Sequence, residues 1–271
     1  MAVSAAHSGE ISVRRDGAIV EVTLDNAASR NRISTDGVIF LRETIREIGL
    51  DTSVRALILT GTGDCFSSGF DLKAIAAVVG SHEQEQHSYD EENLGGLAFE
   101  KLTLEIEQLR CPTICALNGH VYGGGVDLVM ACDYRIGFAE VKALIPAARI
   151  GLHYPLSSIQ RLVANVGRGV SKRLLLSAES VPGAELLACG FLHELVDVSS
   201  VRDRAIAVAE RYAGLAPLPV EAMKVAVNHF SQPPEVGESL LKAYAQCLES
   251  KDFLAGIEAM MNGTAPTFQR H

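Results

Sequence analysis

Twice along this chain a short run of β-branched and apolar residues leads into a glycine-rich segment and then into a helical pattern. Leu57–Gly63 runs into Cys65-Phe-Ser-Ser-Gly-Phe-Asp-Leu72, and Thr113–Leu117 runs into Gly119-His-Val-Tyr-Gly-Gly-Gly-Val-Asp-Leu128. A strand that turns this abruptly into a helix implies alternating strands and helices with right-handed crossovers, the pattern of an α/β core. Each turn should also leave backbone N–H groups unpaired at a helix start. Two such donors converging on one oxygen would form an oxyanion hole, able to polarise a carbonyl and hold the anion formed from it.

The rest of the pattern agrees. Ile11–Arg15 and Ala18–Leu24 alternate about Asp16-Gly17, which predicts a hairpin. Thr35–Gly49 carries Val38, Leu41, Ile45 and Ile48 at helical spacing. Strands fit Val54–Thr60, Thr113–Leu117 and Tyr134–Phe138, while helices fit Asp71–Val79, Leu97–Leu109, Gly125–Cys132, Leu156–Val163, Gly169–Ser177 and Gly183–Cys189. Gly80–Asn93, polar and acidic with His82 and His87, reads as a loop. After Val198 the pattern is helical: Val201–Gly214, Pro219–His229, Gly237–Glu249 and Asp252–Met261. The expected division is a core over residues 1–198 and a helical region over 199–271.

Composition excludes some classes. The 271 residues hold 24 basic against 33 acidic side chains, and a net charge of −9 argues against nucleic acid as a partner. Met1–Gly9 has no basic region followed by an apolar one, so no secretory signal is expected, and no apolar run is long enough to span a bilayer. Cys65, Cys111, Cys115, Cys132, Cys189 and Cys247 form no CxxC pair or zinc spacing, which fits reduced thiols in the cytoplasm.

Five ordered pieces resemble the crotonase (enoyl-CoA hydratase/isomerase) superfamily: Leu57-Ile-Leu-Thr-Gly-Thr-Gly63, Phe66-Ser-Ser-Gly-Phe-Asp-Leu-Lys73, Pro112-Thr-Ile-Cys-Ala-Leu-Asn-Gly119, Gly123-Gly-Gly-Val-Asp-Leu-Val-Met-Ala-Cys-Asp133 and Asp252-Phe-Leu-Ala-Gly-Ile-Glu258. The resemblance implies an α/β spiral of ββα units with a C-terminal all-helical region that assembles homotrimers or homohexamers. It also implies an acyl-CoA substrate, with coenzyme A part of the substrate and no separate cofactor or metal. The Gly-Gly-Gly-Val-Asp-Leu motif is most similar to the dienoyl-CoA isomerase branch.

Carried over residue by residue, the resemblance nominates the N–H groups of Ser68 and Gly124 as oxyanion donors, with Gly123, Ser67 and Gly69 shaping the ligand's approach. Asp127, one helical turn after Gly124, is the implied acid/base group, although an aspartate there also suits a helix N-terminus. Asp133, at the far end of that helix, reads as a cap or salt-bridge partner. Arg30 and Arg32 lie where the family contacts the nucleotide part of coenzyme A, and Asp71 and Lys73, at the end of the first glycine motif, are further substrate-binding candidates. The pattern then breaks: Ala147 stands where hydratases carry a second glutamate, Pro155 replaces a further aspartate, and Gly263-Thr264 replaces a C-terminal basic pair. His153, Tyr154 and Arg149 fall in the same stretch and could engage a substrate carboxylate, as in members resembling methylmalonyl-CoA decarboxylase. Glu100 reads as part of a solvated face. Isomerisation or decarboxylation is expected ahead of hydration, and a catalytically impaired acyl-CoA binder is the alternative.

Overall fold

Gly17, with φ of 56°, makes the tight turn between β2 (Ile11–Asp16) and β3 (Ile19–Leu24), which pair antiparallel with Val13 opposite Val22. The two-residue β1 (Ala6–His7) extends that hairpin on its outer edge. Three parallel strands follow on the other side: β4 (Ala56–Gly61), β6 (Thr113–Ala116) and β8 (Tyr134–Gly137). The seven-stranded sheet closes with β11 (Glu194–Leu195) in the order β1-β2-β3-β4-β6-β8-β11. Its central strands are buried on both faces, so β4 and β6 read as unbroken apolar runs rather than alternating ones. In this computed structural model the described residues are 6–71, 95–231, 245 and 249–266.

A second sheet joins β5 (Cys65–Ser67), β7 (His120–Tyr122), β9 (Lys142–Leu144) and β10 (Val181–Pro182) in the order β10-β9-β7-β5. Each of β5, β7 and β9 comes directly after a strand of the large sheet, which is the expected ββα repeat. The sequence reading missed these strands because runs of two or three residues carrying Gly, His and Ser have too little periodicity to register.

The helices are α1 (Thr35–Leu50), α2 (Gly95–Glu107), α3 (Gly124–Met130), α4 (Leu156–Lys172), α5 (Gly183–Ala188), α6 (Val201–Ala213), α7 (Pro217–Ser231) and α8 (Lys251–Asn262). Ser34 caps α1 by accepting the Gly37 N–H at 3.0 Å. The two helices expected over 156–177 are one helix broken at Gly167 (φ 74°), followed by a π-turn over Arg173–Ser177. Within the helical C-terminal third, α6 lies directly on β4 and β6 through Val201, Ala205, Val208 and Ala209. Among the described residues no helix is long and apolar enough to cross a membrane. The expected Asp71–Val79 helix, apart from Asp71, and the Gly80–Asn93 loop lie outside the described residues, as does nearly all of the Gly237–Glu249 helix.

Asn31 ties the loop after β3 to the loops around β5. It is 1% exposed, and its side-chain amide donates to the carbonyls of Thr62 (2.8 Å) and Cys65 (2.7 Å). Its Oδ1 accepts the Asn26 N–H at 2.9 Å, and its φ of 51° lies in a left-handed region that asparagine tolerates better than alanine. Asn31→Ala should therefore lower unfolding stability by about 2–4 kcal/mol through unpaired buried groups and backbone strain. A shift of the urea midpoint at unchanged slope is the check.

Candidate active site

The two glycine motifs meet backbone to backbone, and the glycines are there because nothing larger fits. A Cβ on Gly69 would stand 2.5 Å from the Gly124 nitrogen, and one on Gly125 would stand 2.6 Å from the Ser67 carbonyl oxygen. Gly69 also has φ of 85°, and Gly123, with φ of 53° and ψ of −128°, sits in a region closed to other residues. The loop after β5 is thereby laid across the N-terminus of α3. Phe70 and Phe99, with ring centroids 5.9 Å apart, wall this junction, and the Phe99 ring packs against the Gly124 α-carbon.

The Gly124 N–H, one of the two expected oxyanion donors, stands at the first turn of α3 with no acceptor among the described residues. Ser68, the other, is placed differently. Its N–H donates to the Arg30 carbonyl at 2.9 Å and is unavailable to a ligand. The uncommitted amide on that loop is Phe70's, for the flanking groups are used: Ile33 N–H to the Gly69 carbonyl at 2.9 Å, and Asp71 N–H to the Ile33 carbonyl at 3.0 Å. The Phe70 nitrogen lies 3.4 Å from where a Gly124 Cβ would be, so the two open amides are neighbours. Ser67 is likewise internal: its hydroxyl donates to the Asn31 carbonyl at 2.8 Å and accepts the Gly69 N–H at 2.9 Å.

Asp127 is where the sequence puts it, on the first turn of α3, yet its carboxylate is locked away. It is 3% exposed; Oδ2 accepts the Ser158 hydroxyl at 2.7 Å, and Oδ1 pairs with Arg161. Arg161 uses its other edge on Glu107, with Nε and Nη2 each 3.1 Å from a carboxylate oxygen. Burial by itself would favour loss of the Arg161 proton, but Asp127 and Glu107 outweigh it and hold the guanidinium charged. The chain Glu107–Arg161–Asp127–Ser158 thus joins α2, α3 and α4. Sequence reasoning missed it, because a charged residue on an amphipathic helix carries no mark of burial. Asp133, by contrast, is the structural partner expected: it accepts the Thr113 N–H and hydroxyl and pairs with Lys224 at 2.6 Å.

Tyr154 is 8% exposed and donates its hydroxyl to the Gly123 carbonyl at 3.0 Å, so it borders the open amides without offering that proton to a substrate carboxylate. Burial, and then the Asp127 charge, push its ionisation well above the ordinary phenol range. His153 turns Nδ1 toward the Tyr154 carbonyl at 2.6 Å. Arg149 hydrogen-bonds the Ala178 carbonyl, which departs from the expected substrate contact. Ala147 is buried and apolar, at 6% exposure. Glu100 accepts the Ser157 hydroxyl, so it is tied to α4 rather than simply solvated. Arg32 and Asp71 form a half-exposed pair at 3.4 Å, and Arg30 takes a left-handed turn with φ of 56°. Lys73, His82 and His87 lie outside the described residues.

A cavity of about 650 Å³ is lined by Glu107, Asp133, Arg135, Arg161, His193 and Lys224 among others. Its charges answer one another: Lys224 with Asp133, Arg161 with Glu107, and buried Arg135 with the carbonyls of Cys132, Gly190 and Phe191. It holds neither open amide. His193 is pinned there, its Nδ1 accepting the Arg135 N–H at 3.0 Å and its ring stacked on Tyr134 at 4.9 Å.

The family model described as enoyl-CoA hydratase/isomerase matches residues 14–269. A short-chain-enoyl-CoA hydratase of Clostridium acetobutylicum is 28% identical over 89% of this chain and 90% of its own. A carnitinyl-CoA dehydratase of Salmonella typhi is 28% identical over 97% and 99%. A methylmalonyl-CoA decarboxylase solved with 2-nitronate-propionyl-CoA superposes with a TM-score of 0.86 over 98% of this chain and 100% of its own, at 20% identity, a likeness of fold.

Two outcomes test the site's electrostatics. Arg161→Met should destabilise the protein by about 3–5 kcal/mol, since it leaves Asp127 buried without its partner. The double variant with Asp127→Asn should recover part of that loss in a urea double-mutant cycle. His193, held neutral first by burial and then by Arg135, has its pKa lowered from 6.5 to about 4. The unfolded chain therefore binds a proton that the folded one refuses across that interval. His193's share of stability should be whole above pH 6.5 and fall away toward pH 4. His193→Gln should flatten the acid limb of a stability profile measured by urea unfolding.

Proposed function

The chain belongs to the enoyl-CoA hydratase/isomerase family, and we propose that it acts on an acyl-CoA thioester by holding the enolate between the N–H groups of Phe70 and Gly124. Loss of CO2 from a 2-carboxyacyl group is the step that makes the enolate. The observation that carries this reading is the commitment of Asp127 to Ser158 and Arg161, together with the apolar Ala147. Syn hydration requires two carboxylates around one water, and double-bond migration requires a base that takes a proton and returns it. Neither is supported by a carboxylate committed to Ser158 and Arg161 with an alanine at position 147.

Decarboxylation makes a smaller demand. The bond between the α-carbon and the carboxylate breaks, its electron pair moves into the thioester carbonyl, and CO2 departs. Two backbone donors then hold the oxyanion, and a proton from water at the α-carbon completes the saturated thioester. The amide of Gly124 adds the field of the helix terminus to its hydrogen bond. Phe70 and Phe99 supply an apolar wall, which favours a neutral product over a buried carboxylate. Arg30 and Arg32, with Lys73, would meet the anionic end of coenzyme A, which enters as part of the substrate. Met223, Val225, Val227 and Phe230, all exposed on α7, offer apolar surface for a homotrimer in the cytoplasm.

Mass spectrometry of malonyl-CoA, methylmalonyl-CoA and crotonyl-CoA incubated with the protein is the test. The expected result is loss of CO2 from a carboxylated thioester while crotonyl-CoA stays unhydrated. Crotonyl-CoA turnover on the order of 1–1000 per second would overturn it. Binding of each thioester with no conversion of any would favour the acyl-CoA binder instead.

A further inference from the structure

The geometry points to Tyr154 as a positioning residue that acts on the substrate through the Gly123–Gly124 peptide, by hydrogen-bonding the carbonyl of the peptide unit whose N–H is the open donor. This deepens the enolate-holding role proposed above and rests on it. The Gly123 C=O and the Gly124 N–H belong to one planar, resonance-coupled unit. A hydrogen bond accepted by the oxygen draws electron density from the nitrogen and makes its N–H a stronger donor, the cooperative effect that links chained hydrogen bonds.

Three observations support the assignment. The Tyr154 hydroxyl is 3.0 Å from the Gly123 carbonyl oxygen, at the end of a buried side chain. That carbonyl also accepts the Val126 N–H at 3.0 Å, and the Leu144 carbonyl holds the Gly123 N–H of the preceding peptide at 2.9 Å, so the unit is held at its oxygen and the chain leading into it is pinned. The other open amide is built the same way: the Gly69 carbonyl, one peptide unit with the Phe70 N–H, accepts the Ile33 N–H at 2.9 Å. Both candidate donors are therefore backed by a hydrogen bond on the opposite end of their peptide. In one case the backing group is main chain, and in the other it is a side chain that can be exchanged.

The test is isotope-edited infrared spectroscopy of propionyl-CoA, labelled with carbon-13 at the carbonyl and bound to the full chain. Wild type should shift the thioester C=O stretch to lower frequency, and Tyr154→Phe should show a clearly smaller shift, with propionyl-CoA affinity within about twofold. On a carboxylated thioester that wild type converts, the same variant should lower kcat roughly tenfold at a KM within about twofold. That is less than the roughly 10²–10³ expected for removing an oxyanion donor outright. Replacing Tyr154 by a ring-fluorinated tyrosine, a stronger hydroxyl donor of nearly the same shape, should enlarge the shift. A purely structural role would not produce that sign, and this second variant serves if the phenylalanine variant folds poorly. Equal shifts in wild type and both variants overturn the assignment of Tyr154 alone. Absence of any shift in wild-type protein overturns the enolate-holding role beneath it.

Discussion

The contact on which the rest of the site depends is between two main chains. Gly69 approaches the Gly124 amide so closely that a single methyl carbon would stand 2.5 Å from its nitrogen. Contact at that range allows two loops, 55 residues apart in sequence, to place uncommitted amides as neighbours without any side chain between them. The cost is the conformational freedom lost in fixing Gly69 and Gly123. It is offset by the buried network around Asn31 and by the β5–β7 pairing that brings the loops together.

A second constraint decides what such a pair of amides can accomplish. In isolation, a carboxylate one turn along α3 is an obvious proton carrier. Arg161 changes its role, because a buried guanidinium shared by Asp127 and Glu107 turns the carboxylate into a bracket between helices. A buried ion pair of this kind adds less to stability than its geometry suggests, since desolvation offsets most of the attraction; its firmer effect is to resist rearrangement. The proposed α-carbon–carboxylate cleavage is compatible with that constraint, since it asks for no protein base.

Much of this could be read from the residues before any coordinates. Alternation around Asp16-Gly17, helical spacing in Thr35–Gly49 and the apolar runs of β4 and β6 gave four strands of the large sheet and its first helix within a residue or two, while the two-residue edge strands β1 and β11 went unread. Family resemblance located the glycine motifs and the missing carboxylate at Ala147. The small sheet was illegible because its strands are too short to show a period, although it is the element that carries the site. Which N–H in Ser68-Gly-Phe70 stays uncommitted was illegible for a related reason: it depends on the Arg30 carbonyl reaching Ser68, and that is long-range pairing. The partnership of Asp127 with Arg161 spans 34 residues and leaves no local trace.

The grip on the Gly123–Gly124 unit has a mechanical consequence. A peptide plane between two glycines would ordinarily swing like a crankshaft, its flanking torsions turning in opposite senses while the chain at either end stays put. Tyr154 and Val126 hold the oxygen that such a swing would displace, while Leu144 pins the preceding peptide through the Gly123 N–H. The position of that amide is thus tied to the β7–β9 register, and a slip there would displace it with every residue of the glycine motif still intact.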